Sequence, residues 1–537
     1  MQDFDYVIIG AGSAGCVLAN RLSESGKYSV LVLEAGGSDK RFWIQVPIGY
    51  GKTYYQKSVN WMYMADADEG TNNRQSYWPR GKVLGGSSSI NAMVYIRGHK
   101  ADFDAWEAAG NPGWGYQDVL PYFKRSETNQ LGENEFRGGK GPLHVADVSG
   151  DLHPLCSHFI NAGKQLGLAE NLNFNGAEQE GIGLYQTTTH KGFRQSTAKA
   201  FLYPALKRPN VSLMTHAQAT KILCEGNKAI GVEYQHKGKL KTLFANKEVI
   251  LSGGAINSPQ LLQLSGIGPI ELLKQHDIEL VQESPAVGQH LQDHLGMDYL
   301  YRSKKPTLND ELHSWQGKLK AGIKYVLTRR GPLSLSINQG GGFIKTNPTL
   351  KQPDIQLYFS PVSYTKAPAG TRPLMNPDPF SAFLVGLTNC QPTSRGYINI
   401  RSKDPLEAPQ IKPNYLSTKE DVDTLLAGVK YLRELANTPA LKDIIIDELR
   451  PGPNCQSDEE LIEDIRGYAW TCFHPTSTCR MGPDPKESVV NHELKVHGMQ
   501  QLRVADASIF PSIVSGNTNA AAIMVGEKAA DLILADA

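Results

Sequence analysis

The sequence predicts an α/β fold with an α+β lobe inserted into it, on three observations. An apolar run at the start breaks into spaced glycines and continues as a helix; a second strand, glycine turn and helix begins near residue 248; and the stretch from residue 502 returns to strand and then helix. Strands alternating with helices in this manner build a sheet covered by helices. At 537 residues the chain exceeds the size of one hydrophobic core, so two lobes are expected.

The opening element is Phe4-Asp-Tyr-Val-Ile-Ile9, a strand, followed by Gly10, Gly12 and Gly15 and the helical run Val17-Leu-Ala-Asn-Arg-Leu22. A second apolar strand, Tyr28-Ser-Val-Leu-Val-Leu33, ends at Glu34, nineteen residues past Gly15. In a dinucleotide-binding unit each part has its own task. Gly10 makes the turn, Gly12 lets a pyrophosphate approach the backbone, and Gly15 lets helix pack on strand, while Glu34 stands where a ribose hydroxyl needs an acid. Ser13 and Ala14 open the helix, whose N-terminus faces the phosphates with partial positive charge. The unit leaves NAD and FAD equally open.

Residues 36 to 80 are rich in Gly, Tyr, Asn and Trp without periodicity and read as a long loop covering a cofactor or a subunit contact. Next comes Gly81-Lys-Val-Leu-Gly-Gly-Ser-Ser-Ser-Ile-Asn91 with Ala92, a cluster able to bring backbone N–H groups of Gly85, Gly86 and Ser87 to a phosphate or a flat ring. Taken alone it reads as a surface turn. From 211 to 252 apolar and polar residues alternate, with turns at Glu225-Gly-Asn-Lys228 and His236-Lys-Gly-Lys239, which predicts a β-meander. The helix that follows is expected to be capped by Asn257 or Ser258, to hold Pro259 in its first turn and to end at Gly266. From about 300 to 464, short strands such as Asp354-Ile-Gln-Leu-Tyr358 and Gly396-Tyr-Ile-Asn-Ile400 mix with helical stretches such as Val422 to Ala436, the pattern of an α+β lobe. Leu502 to Ser508 and a helix from about Asn519 to Ala535 are expected to return to the first domain.

Composition narrows the partners. Lys plus Arg number 55 against 54 Asp plus Glu, a balance that points away from nucleic acid and from polyanions. Seven cysteines, odd in number and never spaced as CxxC, read as reduced thiols of a reducing compartment, the cytoplasm. A first strand at residue 4 leaves no room for a signal peptide, and no run approaches the ~18 apolar residues of a membrane span.

The Gly81 cluster continues without a break through Asn91-Ala-Met-Val-Tyr-Ile-Arg-Gly98 to Asp104, and Gly254-Ala-Ile-Asn-Ser-Pro-Gln-Leu-Leu-Gln-Leu-Ser-Gly-Ile-Gly268 forms a second long signature. On these stretches, the N-terminal glycines, Val287-Gly-Gln-His-Leu-Gln-Asp-His294, Phe473-His-Pro475 and Val504-Ala-Asp-Ala-Ser508, the chain resembles the glucose-methanol-choline (GMC) oxidoreductase family over its whole length. Its glycine-serine cluster and Tyr95-Ile-Arg-Gly98 look closest to the choline-dehydrogenase-like and primary alcohol dehydrogenase branch. The resemblance implies FAD, a Rossmann-like FAD-binding domain made of residues 1–158, 192–300 and 465–537, and an α+β substrate domain on an antiparallel sheet, made of 159–191 and 301–464. It places Asp506 and Ala507 beside the ribityl and pyrophosphate region, and Asn517 and Thr518 beside the flavin, where the start of the last helix would stabilise negative charge on the reduced ring. Some relatives tether the flavin through a histidine beside the asparagine of the glycine cluster; here that neighbour is Ile90, so FAD is expected without a covalent bond, and His99 does not match the linkage position.

The catalytic pair the resemblance implies is His474 with Asn517: the histidine takes the hydroxyl proton, the asparagine hydrogen-bonds the alkoxide oxygen, and hydride leaves for flavin N5. On its own a histidine before proline reads as a loop residue, and Asn517 or Asn519 as a helix cap. His290 and His294, four apart, could share a helical face as metal ligands, but no third ligand is apparent and no metal is expected. Cys472 and Cys479 read as packing residues, Arg97 and Lys82 as solvated or phosphate-proximal charges. The function expected is oxidation of a primary alcohol with electrons passed to a quinone-like acceptor; an oxidase of the same fold, a choline dehydrogenase and a flavin-containing hydroxynitrile lyase are the alternatives. The resemblance leaves room for peripheral contact with the inner face of a membrane, and the oligomeric state is open.

Overall fold

A computed structural model describes residues 4–365 and 377–537. Two sheets carry the fold. In the first, Phe4–Ile9 lies between Val30–Leu33 and the inner end of Lys239–Leu251, with Val211–Met214 beyond Val30–Leu33 and Leu502–Val504 beside Val249 to Leu251, all parallel. Strands buried on both faces must be apolar along their length, which is why Phe4–Ile9 and Val30–Leu33 show no alternation. Helix Ser13–Leu22 covers this sheet and packs on the C-terminal helix Asn519–Ala535, tied to it by Arg21 on the buried Glu527 at 2.8 Å.

Lys239–Leu251 serves two partners. Its outer half, exposed and lysine-bearing, pairs antiparallel with Lys228–His236, which in turn pairs with Ala217–Glu225 through the turns read from the sequence. Val211–Met214 is not part of this meander: it pairs parallel with Val30–Leu33 instead. Its alternation reads as half-buried antiparallel strand because it sits at the sheet's edge, with one face only partly covered.

The second sheet runs Ile445–Arg450, Leu295–Ser303, Ala382–Asn389, Ile355–Ser360, Gly340–Ile344, Gly181–Leu184, antiparallel throughout, with Trp470–Thr471 added against Leu295 and Gly296. Helix Lys419–Asn437, started by the Thr418 hydroxyl accepting the Asp421 N–H, buries Leu425, Val429 and Leu432 with this sheet's Ile355, Leu357 and Phe359. Because side chains alternate along a strand, Gln356 and Tyr358 of the same segment face the other way. In sequence the parallel sheet's strands at 4–9, 30–33, 211–214, 239–251 and 502–504 are interrupted by second-sheet strands at 181–184 and 295–471, so the chain passes from one sheet to the other more than once.

Two local expectations need correction. Residues 36 to 80 are not one loop but short helical turns, Phe42–Gln45 and Tyr50–Thr53, and a two-stranded ladder of Tyr63–Met64 on Tyr77–Trp78, held by aromatic packing that carries no periodicity. The helix after Leu251 begins at Gly254, so Asn257 and Ser258 lie inside it; the Ser258 hydroxyl accepts the Gly253 N–H and donates to Asp506 instead of capping from the usual position. Gly266, at φ +80°, does end it.

Candidate active site

One continuous cavity runs between the two sheets, from Gly10, Gly12 and Glu34 past Gly81, Gly86 and Asn91 to His474 and Asn517. The C-terminal ends of the central parallel strands open into it at Ile9, Leu33 and Leu251, and the second sheet contributes Tyr358 and Trp470. Ser13, Ala14, Ser87, Ala92, Asp506, Ala507 and Thr518 also line it. Gly15 and Gly85 do not. A Cβ on Gly15 would stand 2.0 Å from the Gly10 carbonyl oxygen, so that glycine serves the contact of helix with turn, and Gly85 backs the wall by donating its N–H to Ala11.

The nucleotide end is built from backbone. A Cβ on Gly86 would stand 2.7 Å from the Gly12 Cα, so the two glycine turns can meet only without side chains. Helix Ser13–Leu22 and helix Asn519–Ala535 both begin at the cavity with no side chain capping their first N–H groups, and the Ser13 hydroxyl donates to Asn519 at 2.7 Å, fixing one start against the other. Glu34 accepts the N–H groups of Ala11 and Gly36 at 2.9 and 2.7 Å, and burial pushes its carboxyl up to about 7. Asp506 accepts from the Ser258 hydroxyl and the Gly254 N–H, joining the last strand to the second glycine turn.

The far end holds a single run of hydrogen bonds whose direction is set by its terminus. His294 Nε2 lies 3.0 Å from the Cys390 carbonyl, which can only accept, so in the neutral ring Nε2 carries the proton and Nδ1 is bare. His294 Nδ1 lies 3.0 Å from His474 Nδ1, which must therefore be the donor. His474 Nε2 is left as a lone pair, and it accepts from Asn517 Nδ2 at 3.3 Å. Asn517 is oriented in turn by Gln356, which donates to its Oδ1 at 3.2 Å, and Tyr358 donates to Gln356 Oε1 at 2.8 Å. Burial, with His294 and Arg80 adding to it, holds His474 well below the usual histidine range, and burial lowers His294 to about 4, so both rings are neutral at pH 7.

The turn bearing His474 is clamped. Phe473 sits at φ +64°, a conformation rare for a bulky residue, and is kept there by Arg80 donating to its carbonyl at 2.5 Å and by Thr471 accepting its N–H at 2.9 Å. The His474 N–H donates to the buried Asp293 carboxylate at 2.7 Å, and burial raises that carboxyl to about 6.

Both signature segments thus converge with His474 and Asn517. The sequence reading missed Gln356, Asp293 and Arg80, and gave His294 no role in the site, having weighed and set aside a metal face shared with His290. Residues 288 to 294 are not helical: His290, at φ +62°, points to Arg480 and Glu487, while His294 turns to His474. Among the described residues no three His, Cys, Asp or Glu are placed to hold a metal. The available signal was Gln356, a polar residue within an apolar strand. Arg97 is not solvated but buried on Glu127 at 2.8 Å, and Lys82 lies over the Trp61 ring at 4.0 Å. Cys479 packs in the first core, while Cys472 lines the cavity. His99 caps helix Lys100–Ala108 and lies outside the cavity lining.

The family profiles of the GMC oxidoreductases match residues 4–296 and 392–526. The chain is a GMC oxidoreductase. It is 43% identical to an alcohol dehydrogenase [acceptor] of Pseudomonas putida, covering 99% of this chain and 96% of that one, and 44% identical to an oxygen-dependent choline dehydrogenase of Vibrio vulnificus, covering 99% and 94%. Among solved structures it is similar to pyridoxine 4-oxidase of Mesorbium loti, with TM-score 0.89, 31% identity and coverage of 98% and 99%, and to an Aspergillus oryzae formate oxidase, with TM-score 0.92, 28% identity and coverage of 100% and 98%. GMC oxidoreductases are FAD flavoproteins, and the side-chain-free meeting of two glycine turns beneath two uncapped helix starts fits that cofactor.

Proposed function

We propose that this GMC oxidoreductase oxidises a neutral primary alcohol to its aldehyde, with FAD held non-covalently and the electrons passed on to a quinone-like carrier. The observation that carries the reading is the bare Nε2 of His474, presented beside the Asn517 amide at the end of a cavity shaped for a dinucleotide.

In this reading the hydroxyl of the alcohol donates to His474 Nε2 and its oxygen accepts from Asn517 Nδ2, taking the place of the histidine as that amide's acceptor. His474 then accepts the proton at Nε2 while His294 receives the Nδ1 hydrogen bond of the charged ring. FAD, when bound, accepts the hydride from the carbinol carbon. Gly12, Ser13, Ala14, Gly86 and Ser87 would hold the pyrophosphate, Glu34 the ribose, Asp506 and Ala507 the ribityl and pyrophosphate region, and Asn91, Ala92, Asn517 and Thr518 the flavin. The parallel order of the first sheet supports a Rossmann-like FAD domain, and the five-segment division 1–158, 159–191, 192–300, 301–464 and 465–537 is proposed with it, the second-sheet strands Leu295–Ser303 and Trp470–Thr471 lying across or just beyond the boundaries at 300 and 464.

Non-covalent attachment is supported by Ile90, buried in the cavity wall next to Asn91, and by His474 being the only histidine among the described lining residues. A neutral alcohol fits the apolar reacting end of Tyr54, Met93, Tyr358 and Phe473, where no acid stands among the described lining residues because Glu34 and Asp506 are engaged at the nucleotide end; the same rings would also face a quaternary ammonium, so choline is the second reading. The relative named alcohol dehydrogenase [acceptor] supports a carrier other than oxygen.

The test is anaerobic addition of aliphatic, aryl and amino alcohols, choline included, to the purified yellow protein. Bleaching of the flavin band by neutral primary alcohols is expected; bleaching by choline alone, or by none, overturns the substrate assignment. Admitting air to the reduced protein then reads the acceptor, since rapid reoxidation with stoichiometric peroxide makes it an oxidase.

A further inference from the structure

Helix Trp315–Thr328 wears its apolar stripe on the outside. Trp315, Leu319, Ile323, Val326 and Leu327 recur at i, i+4, i+8, i+11 and i+12, one face of the helix, and are 71, 54, 51, 59 and 77% exposed. Its inner face buries only Ala321 and Tyr325, the tyrosine hydroxyl donating to the Gly192 carbonyl at 2.9 Å. Elsewhere in the protein helices turn such a stripe to a core; helix Lys419–Asn437 is the nearest contrast.

The charge on this helix has one sign. From Trp315 to Arg330 the chain carries Lys318, Lys320, Lys324, Arg329 and Arg330 and no Asp or Glu. At 100° per residue, Lys320 and Lys324 flank the apolar stripe on one side and Lys318 on the other. Arg330 is bonded to Asp151, and Arg329 lies over the Phe193 and Tyr325 rings, which leaves the three lysines as the rim of the stripe. A tryptophan and branched aliphatics between lysine edges match the composition of helices that lie in a lipid interface, where the stems of the lysines stay apolar and their ammonium groups reach the headgroups.

The helix also adjoins the reacting end of the cavity. The preceding turn, Leu308–Leu312, packs Leu308 and Leu312 into one cluster with Tyr54, Ala92, Met93 and Phe473, all of which line the cavity.

We propose that helix Trp315–Thr328 docks the protein on an anionic phospholipid bilayer, with Trp315, Leu319, Ile323, Val326 and Leu327 entering the headgroup boundary and Lys318, Lys320 and Lys324 meeting lipid phosphates. A second copy of the chain is the weaker occupant on charge grounds: a two-fold contact would set this all-cationic surface against itself.

The measurement is co-sedimentation of the FAD-loaded full chain with vesicles of phosphatidylcholine mixed with phosphatidylglycerol. Binding is expected, weaker by at least about tenfold on pure phosphatidylcholine or in high salt. Lys318→Glu with Lys320→Glu and Lys324→Glu, and separately Leu319→Glu with Ile323→Glu, are each expected to weaken it by at least about tenfold, with the circular dichroism spectrum and flavin content of the parent retained. A blue shift of tryptophan emission on vesicle addition, lost in Trp315→Phe, reads the same docking without a charged substitution. Absence of vesicle binding by the parent chain, binding indifferent to both charge and stripe variants, or a solution dimer that the stripe variant dissociates would each overturn the proposal. Docking is read without turnover, so its failure is distinct from failure of the alcohol reading.

Discussion

At the residue scale the account turns on which nitrogen of His474 is bare. The Cys390 carbonyl fixes His294, and His294 fixes His474, so His294 is a positioning residue. His294→Leu is expected to slow flavin reduction by about 10- to 10²-fold and to flatten or displace its pH profile while FAD content is unchanged; His294→Gln, which keeps an acceptor toward Nδ1, is expected to recover part of the rate. Rapid-mixing reduction across pH checks both. The parent's profile has a defined sign. A base held below the ordinary histidine value stays unprotonated as pH falls through about 6.5, so the acid limb of the reduction rate is expected below that pH. The same depression acts on stability. The unfolded chain binds protons at His294 and His474 that the fold does not, so stability is lost as pH falls from about 6.5 toward the folded values, the His294 share near 4. In the sequence, His474 and Asn517 were legible through the family resemblance. His294 and Gln356 were not, because their roles depend on a carbonyl and an amide brought from strands far away in the chain.

At the element scale two glycines of the opening turn separate folding from cofactor binding. A Cβ on Gly15 would collide with the Gly10 carbonyl, so Gly15→Ala is expected to destabilise the protein by about 1–3 kcal/mol. A Cβ on Gly12 would stand no closer than 3.7 Å to Ser252 and would project toward the cavity, so Gly12→Ala is expected to leave apoprotein stability within about 0.5 kcal/mol and to weaken FAD retention by at least about tenfold. Melting of the apoproteins and flavin content after desalting distinguish the two. The opening strand, helix and second strand were legible because parallel pairing and glycine spacing leave local marks. The cap of helix Gly254–Leu264 was misplaced because Ser258 is spent on Asp506, a partner from the last segment. Residues 36 to 80 were opaque because aromatic stacking, such as Tyr55 on Tyr77, has no sequence period.

At the scale of the whole molecule, the cavity proposed to hold FAD lies in the seam between two sheets, each of which supplies part of the wall. A ligand that binds only the folded state raises its stability by RT ln(1 + [L]/Kd), about 2.7 kcal/mol at a hundredfold excess over Kd. Calorimetry of apoprotein with added FAD is therefore expected to show one transition moving upward with FAD concentration. Two separate transitions, only one of them moving, would show that the sheets do not fold around a shared seam. The two-lobed plan was readable from the change in patterning near residue 300. The pairing of Trp470–Thr471 with Leu295–Ser303 in the second sheet was not, since strand pairing at long range is decided by partners and not by either segment alone. The claim that joins all three scales is that His474 takes the proton of an alcohol as FAD is reduced, and it is tested most directly by rapid anaerobic mixing of the parent and His474→Ala with the same primary alcohol. At least about 10²-fold slower bleaching in the variant, with FAD still bound, is the expected result; reduction at a near-parental rate would contradict it.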